Sequence, residues 1–217
     1  MTEQAYTLFY SPGSASMVVH VALLELGVPY TLQRLDLSAG AQRDEAYRKL
    51  NPMGVVPTLV IDGRPYFESA ALLLMLAERH PEAGLAPAPG TPEHLAFYQW
   101  VVNLSNTLAS VFRFWFYPPD LGLTETPSEI RAALRARIEA VWDRLEAHVA
   151  ANGPFLLGDR LTLADFYLTM LMRWSRNMPR PATEWPALNA LARQVRQRPS
   201  WKRMYELEEL TEWQLQD

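Results

Sequence analysis

The chain contains 217 residues, of which 49% are hydrophobic and 20% are charged, and its formal net charge is −4. This composition is typical of a folded globular protein, and the acidic balance argues against nucleic acid or an anionic membrane surface as the main partner. The chain has no cysteine, which excludes disulfides and a protein-thiol nucleophile, and its four histidines lie too far apart in sequence to predict a metal site.

The first eighty residues predict strands and helices in the order β-α-β-α-β-β-α, which is a thioredoxin-like arrangement. Short β-branched and aromatic runs predict the strands, and apolar periodicity predicts the helices. The first helix is apolar nearly all round and should be buried on both sides. It connects two strands that should form a parallel pair, with a right-handed crossover. The predicted elements are strand Tyr6–Tyr10, helix Ser14–Leu26 ended by Gly27, strand Pro29–Leu35, an exposed polar helix Ala41–Leu50, strands Thr58–Ile61 and Pro65–Phe67, and helix Ser69–His80.

The rest of the chain predicts an all-helical domain. Residues 81–92 contain four prolines and two glycines, which suit a semi-rigid linker, so we predict domains at 1–80 and 93–217. Thr162 and Asp165 have the spacing of a capping box, for which a structural role is preferred. The predicted helices are Glu93–Tyr117, Ser128–Ala151, an apolar helix following the capping box, Pro186–Arg196 and Ser200–Leu210. Without a secretion signal or a long apolar run, we expect a cytoplasmic protein with no membrane partner.

The segment 51–71 holds the strongest functional signal. If the Val56–Pro57 bond is cis, Val56 presents its backbone N–H and C=O outward as an edge for an extended peptide. Ser69 is a suitable N-cap for the next helix, whose unpaired N–H groups attract a carboxylate, and Glu68 can hold an ammonium group. These features describe a receptor for a small peptide with a free amino-acid end. A well-formed hairpin with Ser69 as an ordinary cap remains the alternative.

Two motifs resemble those of the glutathione transferases. The first is N-P-M-G-V-V-P-T-L followed by F-E-S-A-A, and the second is G-D-R-L-T-L-A-D at residues 158–165. Together they span most of the chain in the order typical of that family. The resemblance implies a thioredoxin-like domain followed by a helical one, glutathione as co-substrate, a small hydrophobic electrophile and a homodimer. It also assigns glutathione binding to Val55, Val56, Pro57, Glu68 and Ser69.

Conjugation requires glutathione as a thiolate, because a free thiol with a pKa near 8.5 is only a few per cent ionised at neutral pH. A hydroxyl donor and a helix N-terminus can stabilise the anion. Ser14 is the first candidate, since it resembles the activating serine of the delta- and theta-like classes. Ser11 and Ser16 are the next candidates for the activating hydroxyl and are ranked equally, and Tyr10 is ranked last. For each hydroxyl, N-capping or turn formation is the alternative role.

The sequence also departs from the bacterial beta class, which its Y-S-P-G-S-A-S-M string resembles. Ala15 replaces the cysteine of that class, and Thr107-Leu108-Ala109 stands near the position of its histidine. Met53 replaces a lysine that commonly follows Asn-Pro in the family. We expect Arg43 or Lys49 to take over the contact with the glycyl carboxylate of glutathione, although exposed basic residues are usually only solvated.

An aromatic cluster predicts an apolar pocket for the electrophile, which the resemblance places between the domains. The residues assigned to it are Phe112, Trp115, Phe116 and Trp174. A stripe of aromatic residues is also common in a core, but consecutive positions cannot all face one core. Two other functions stay open: a non-catalytic glutathione-binding carrier or regulator, and an isomerase or dehalogenase that uses the same thiolate.

Overall fold

The computed structural model describes residues 6–214, which form two compact units. The first unit takes the described chain up to Gly84 and again from Arg196, and the second runs from Leu85 to Val195. The sequence-based division assigned everything after residue 92 to the helical domain. In the structure, the end of the chain instead returns to the α/β unit.

A four-stranded sheet in the order β2-β1-β3-β4 organises the first unit. The central strand β1 pairs parallel with β2 and antiparallel with β3, and β4 continues the hairpin from β3. This confirms the predicted parallel pair and hairpin. The strands are β1 Tyr6–Tyr10, β2 Tyr30–Arg34, β3 Thr58–Ile61 and β4 Arg64–Phe67. Alternate residues of β1 and most of β3 are buried, as expected for strands at the centre of a covered sheet.

Helices pack around this sheet. Helix α1 begins at Met17 rather than Ser14 and ends before Gly27, whose φ of 66° is the left-handed conformation that a helix-ending glycine adopts readily. Its first seven residues are all buried, so the predicted two-sided burial is confirmed. The helices of this unit are α1 Met17–Leu26, α2 Glu45–Arg48, α3 Ser69–Arg79 and, near the end of the chain, α9 Pro199–Leu207.

Two further predicted helices of this unit have the wrong extent. The helix predicted over 41–50 is a 3₁₀ turn at Ala41–Arg43 followed by the four-residue α2, because Asp44 adopts extended backbone dihedrals between them. Helix α9 ends three residues before the predicted Leu210. Glu209, two residues after its last helical residue, has a left-handed φ of 56° that a continuing helix does not accommodate.

The second unit is mainly helical, as predicted. Its helices are α4 Pro92–Leu104, α5 Ser110–Phe116, α6 Ser128–Asn152, α7 Leu163–Trp174 and the start of α8 Pro186–Gln197. The helix predicted over 93–117 is interrupted by a π-helical turn at Ser105–Ala109, which divides it into α4 and α5. Every residue of α7 from Leu163 to Arg173 is buried, which makes it the central helix of this unit.

The predicted capping box starts helix α7. Asp165 is fully buried, and its carboxylate accepts hydrogen bonds from the Thr162 N–H at 2.8 Å and from the Leu156 N–H at 2.8 Å. The Thr162 hydroxyl is a third donor, at 3.0 Å. Burial raises the pKa of the Asp165 carboxyl to about 6, even though these donors favour its ionised form. The contacts support the structural interpretation of this motif.

None of the helices between residues 6 and 214 combines the length and apolar character required to cross a bilayer.

Candidate functional site

The loop before β3 exposes one backbone edge. The Val56–Pro57 bond is cis, as anticipated. The Val56 N–H and C=O make no hydrogen bond with another residue in the range 6–214, although the Val56 side chain is buried. Since a buried side chain fixes the residue while its polar backbone groups stay unused, Val56 is suited to pair with an extended peptide.

The carbonyl of the preceding residue, Val55, points into the protein, where two buried side chains donate hydrogen bonds to it. The Val55 carbonyl accepts hydrogen bonds from the Tyr47 hydroxyl at 2.7 Å and from the Asn51 side-chain amide at 2.8 Å. The Tyr47 hydroxyl also lies 2.8 Å from the Thr58 hydroxyl, and the Asn51 side-chain oxygen accepts from the Met53 N–H at 3.1 Å. The carbonyl of Val55 is therefore engaged inside the protein, which leaves Val56 as the residue with a free edge.

An acidic side chain and a helix N-terminus lie directly after β4. Glu68 is exposed and occupies the N-cap position of α3 with a φ of 73°, an uncommon conformation for a residue with a side chain. No other described residue pairs with its carboxylate. The backbone N–H groups of Ser69 and Ala70, in the first turn of α3, also have no partner within residues 6–214. This arrangement offers an anion for an ammonium group beside donors for a carboxylate.

The prediction that Ser69 caps helix α3 is wrong. Ser69 is the first helical residue, and its hydroxyl donates to the Ala15 carbonyl at 3.1 Å. Its side chain therefore ties the start of α3 to the turn before α1. The two parts of the predicted site are thus held together by a direct hydrogen bond.

The turn before α1 contains a network of three serines. The Ser14 hydroxyl donates to the Ser11 carbonyl at 2.7 Å and lies 2.8 Å from the Ser16 hydroxyl. The Ser16 hydroxyl accepts from the Ser11 N–H at 3.2 Å and lies 3.2 Å from the Ser11 carbonyl. Ser11 and Ser16 are buried, whereas Ser14 is half-buried. Ser14 is therefore the serine of this turn whose hydroxyl is the more accessible to a ligand.

Two further donors lie at the same turn. The Ala15 N–H has no hydrogen-bond partner among residues 6–214. Tyr10 is buried at the end of β1, and burial, followed by the nearby Glu208 carboxylate, raises the pKa of its hydroxyl above the usual 10.0. The Tyr10 hydroxyl is thus protonated, and able to donate, throughout the range in which a thiol ionises.

Sequence reasoning missed a contact from the far end of the chain. The Glu208 carboxylate accepts a hydrogen bond from the Gly13 N–H at 3.0 Å and lies 2.8 Å from Nδ1 of His20, so it contacts both the serine turn and α1. No local pattern indicates this contact, since 195 residues separate Gly13 from Glu208. The unusual feature is a glutamate that is only 1% exposed.

The basic residues of the α2 region border a depression. A cavity of about 350 Å³ is lined by Arg43, Glu45, Arg48, Lys49 and Pro52. The ammonium group of Lys49 pairs with Glu45 at 2.9 Å, whereas Arg43 is exposed and has no ion-pair partner within the described chain. Arg43 is therefore the freer of the two predicted cations. The side chain of Met53, where the family commonly has lysine, is 66% exposed.

The second unit brings three of the four predicted pocket residues together. Phe112 stacks on Phe116 with ring centroids 5.9 Å apart, and both rings meet Trp174 edge-on, at 5.8 and 6.2 Å. Phe112 is fully buried, whereas Phe116 is 45% exposed. Trp115 lies outside this cluster, because its ring packs under the guanidinium of Arg131 at 4.3 Å. The cluster therefore has a buried base and one exposed aromatic ring.

The fold and the contacts of the first unit define a class of protein. A thioredoxin-like sheet presents a free backbone edge at Val56, an unpaired acid at Glu68, free N–H groups at the start of α3 and a hydroxyl-rich turn. A mainly helical unit follows it. Within residues 6–214, this is the arrangement of a thioredoxin-like α/β protein with an added helical domain.

Comparison with known proteins identifies the family. Residues 13–79 match the glutathione S-transferase N-terminal domain, and residues 128–194 match the C-terminal domain. Glutathione S-transferase GstA of Escherichia coli O157:H7 is 29% identical over 170 residues, which are 77% of this chain and 81% of that protein. A maleylacetoacetate isomerase of Dictyostelium discoideum is 41% identical over 174 residues, which are 77% of this chain and 78% of that protein.

A solved structure agrees with these matches. A sphingomonad glutathione S-transferase, determined in complex with glutathione, has a TM-score of 0.84 and 29% identity and covers 94% of this chain and 100% of its own. The chain belongs to the glutathione S-transferase family, and the relatives named glutathione S-transferases support a transferase rather than a non-catalytic carrier.

Proposed function

We propose that this protein binds glutathione in its first unit and activates the thiol as a thiolate for attack on an apolar electrophile. The free edge at Val56 carries the proposal, because it is the feature that an extended peptide can pair with directly. In this arrangement Val56 pairs with the cysteinyl backbone of glutathione, with Val55 and Pro57 on either side. The N–H groups of Ser69 and Ala70 bind the γ-glutamyl carboxylate, and Glu68 binds its ammonium group.

Ser14 is the proposed donor to the sulfur. It is the most accessible of the turn serines, and the neighbouring Ala15 N–H supplies a second donor without a competing acceptor. Lowering the thiol pKa by two units requires about 2.7 kcal/mol of preferential stabilisation of the anion. Two hydrogen bonds to a charged acceptor are together of that magnitude, at about 1.5–3 kcal/mol each. Ser11, Ser16 and Tyr10 are the remaining candidates.

The carboxylate at the glycyl end and the electrophile are assigned to two further groups of residues. Arg43, with Lys49 as the second choice, binds the glycyl carboxylate in place of the lysine that Met53 replaces. The electrophile contacts the exposed face of Phe116 beside Trp174, and Phe112 supports these rings from below. Trp115 contributes through its contact with α6 rather than through the cluster.

Retention on immobilised glutathione and turnover of a chlorinated dinitrobenzene test this proposal. Glu68→Gln removes the acid that would bind the ammonium group, so we expect it to abolish retention while leaving the unfolding free energy unchanged. Asp62→Asn is the matched control, because it removes one exposed negative charge from the same hairpin. The binding assignment fails if both variants are retained like the wild type. Retention without turnover on a broad panel of electrophiles would instead favour the non-catalytic carrier.

A series of single substitutions identifies the hydroxyl that activates the thiol. We measure the pH profile of kcat/KM for the electrophile at saturating glutathione, which reports the pKa of the bound thiol. We expect Ser14→Ala to raise this apparent pKa by about one unit, which corresponds to about 1.4 kcal/mol. Ser11→Ala and Tyr10→Phe should shift it less. The Ser14 assignment is wrong if one of these variants produces the largest shift.

Isomerisation is the second candidate function, and the 41% identity with the Dictyostelium maleylacetoacetate isomerase favours it. The same thiolate would add to a conjugated double bond, allow rotation about the resulting single bond, and leave again as thiolate. Glutathione would not be consumed in this reaction. A cis-configured unsaturated diacid that is converted to its trans isomer without loss of free thiol would distinguish this activity from conjugation.

We further propose that the protein is a cytoplasmic homodimer with a detoxifying role and no metal. Leu95 and Val102 support self-association, since they are 71% and 45% exposed and lie seven residues apart on one side of α4. Among residues 6–214, no three metal-ligating side chains converge. Sedimentation velocity at micromolar concentration measures the oligomeric state directly.

A further inference from the structure

We infer that Glu208 is a positioning residue for the thiol-activating turn, which it holds in place from the end of helix α9. This inference rests on the proposed function, because it assigns a role in the activation of glutathione. Glu208 does not belong to either family motif, and it is remote in sequence from each of the groups proposed to touch glutathione.

The geometry at Glu208 is that of a built contact. One carboxylate oxygen accepts from the Gly13 N–H at 3.0 Å, and the other lies 2.8 Å from Nδ1 of His20. Nε2 of His20 in turn lies 3.1 Å from the Tyr30 hydroxyl on β2. Glu208 and His20 are 1% and 0% exposed. A carboxylate is rarely so deeply buried unless its hydrogen bonds are satisfied, and here both oxygens have a partner.

The carboxylate contacts the turn at the residue before the proposed donor. Gly13 has a φ of 72°, a conformation favourable to glycine, and Ser14 follows it directly. Holding the Gly13 N–H restrains the Pro12–Gly13 peptide, from which the chain passes through Gly13 into Ser14. The directions of the Ser14 side chain and of the Ala15 N–H depend on where that peptide places Gly13. Glu208 can therefore set the orientation of both proposed donors without contacting glutathione.

Helix α9 provides a fixed point from which Glu208 can act. At its N-terminal end, Glu25 of α1 accepts hydrogen bonds from the Arg198 guanidinium and the Ser200 hydroxyl. At its C-terminal end, Glu208 contacts α1 through His20, and the exposed Glu209 pairs with Arg34 at 3.2 Å. Because α9 is attached to α1 at both ends, the Glu208 carboxylate has little freedom to follow a moving turn.

Two roles for Glu208 make opposite predictions. As a nearby negative charge, it would disfavour a thiolate, so neutralising it would lower the thiol pKa. As a positioning group, it would stabilise the thiolate indirectly, so removing its hydrogen bonds would raise the thiol pKa. Glu208→Gln separates the two roles. Glutamine keeps an oxygen for the Gly13 N–H, and its amide can donate to Nδ1 of the other His20 tautomer.

The experiment measures the thiol pKa of bound glutathione by ultraviolet titration and the amide hydrogen exchange of residues 11–16 without glutathione. In Glu208→Ala, we expect faster exchange in the turn and a thiol pKa higher by about one unit, which is an acid ionisation constant smaller by about tenfold. Glu208→Gln should remain close to the wild type in both measurements. Glu209→Ala, which removes the adjacent exposed acid, is the matched control and should also resemble the wild type.

The inference is overturned if Glu208→Ala leaves either measurement unchanged, or if Glu208→Gln lowers the thiol pKa as a pure charge effect would. If Glu208→Ala does not fold, Glu208→Asp replaces it, since a side chain one methylene shorter cannot reach Gly13 and His20 together. A wild-type protein that does not lower the thiol pKa refutes the proposed function and this inference with it. A lowered wild-type value that Glu208→Ala or Glu208→Asp leaves unchanged refutes this inference alone.

Discussion

The Val55 carbonyl provides a quantitative test of how the loop before β3 is held. It has two side-chain donors, the Tyr47 hydroxyl and the Asn51 amide. Either donor alone satisfies the carbonyl, so removing one leaves the other in place. Removing both leaves a half-buried acceptor without a protein donor. We therefore predict that Tyr47→Phe and Asn51→Ala destabilise the protein by more together than the sum of their separate effects.

The magnitude follows from the hydrogen bonds that each substitution removes. Tyr47→Phe loses the bonds to Val55 and Thr58, and Asn51→Ala loses those to Val55 and Met53. At about 1 kcal/mol for each bond, either variant should lose about 2 kcal/mol of unfolding free energy. An unsatisfied acceptor in the double variant adds at least about 1 kcal/mol, for a total loss of about 5 kcal/mol. This coupling exceeds the roughly 0.5 kcal/mol within which independent substitutions add.

Urea unfolding of the wild type, both single variants and the double variant measures the coupling. Calorimetric titration with glutathione on the folded variants shows whether the Val56 edge is disturbed as well, which would appear as weaker binding in each single variant. Tyr66→Phe, on an exposed tyrosine of β4, is the control and should combine additively with Asn51→Ala. Strict additivity of Tyr47→Phe and Asn51→Ala would contradict the shared-acceptor argument.

Three other predictions concern separate parts of the chain. Burial raises the pKa of Asp165 to about 6, so between pH 4 and pH 6 the native state retains a proton that the unfolded state releases. The free energy of unfolding should therefore fall by up to about 3 kcal/mol as the pH rises from 4 to 6. Chemical unfolding across this range should show that loss in the wild type but not in Asp165→Asn. Gly153→Ala should cost about 2 kcal/mol in the same assay, because a Cβ atom would lie 2.4 Å from the Val149 carbonyl oxygen. No loss there would refute the steric argument. Leu95→Arg and Val102→Arg, made on the exposed side of α4, should reduce the sedimentation coefficient to that of a monomer, and an unchanged coefficient would exclude this side of α4 as the dimer interface.

Local sequence was sufficient for the elements that local interactions determine. The four strands, the buried helix α1 and the capping box of α7 each depend on residues within a few positions of one another, and these predictions were confirmed. The prediction of one continuous helix over 41–50 was wrong, because a single extended residue, Asp44, interrupts an otherwise helical pattern. The π-helical turn at 105–109 changes the helix type without interrupting its apolar periodicity, so no local pattern indicates it.

The candidate site divides along the same line. Val56 and Glu68 belong to one continuous motif, and no residue in the range 6–214 pairs with the backbone edge of the first or with the carboxylate of the second. The role of Ser69 was misjudged because its hydroxyl bonds Ala15, which lies 54 residues earlier in the chain. Glu208 was missed for the same reason at a greater separation. A side chain whose partner is distant in sequence leaves no periodicity from which its role can be predicted.

The serine turn shows how a committed hydroxyl can still serve a thiolate. The Ser14 hydroxyl donates to the Ser11 carbonyl at 2.7 Å, so donation to sulfur requires this hydrogen bond to break. A hydrogen bond to an anion is about twice as strong as one between neutral groups, which favours the exchange once a thiolate is present. The Ser16 hydroxyl, 3.2 Å from the same carbonyl, then remains as its donor, so the exchange leaves no acceptor unsatisfied. Ser16 would therefore lower the cost of activation even where Ser14 is the donor to the sulfur.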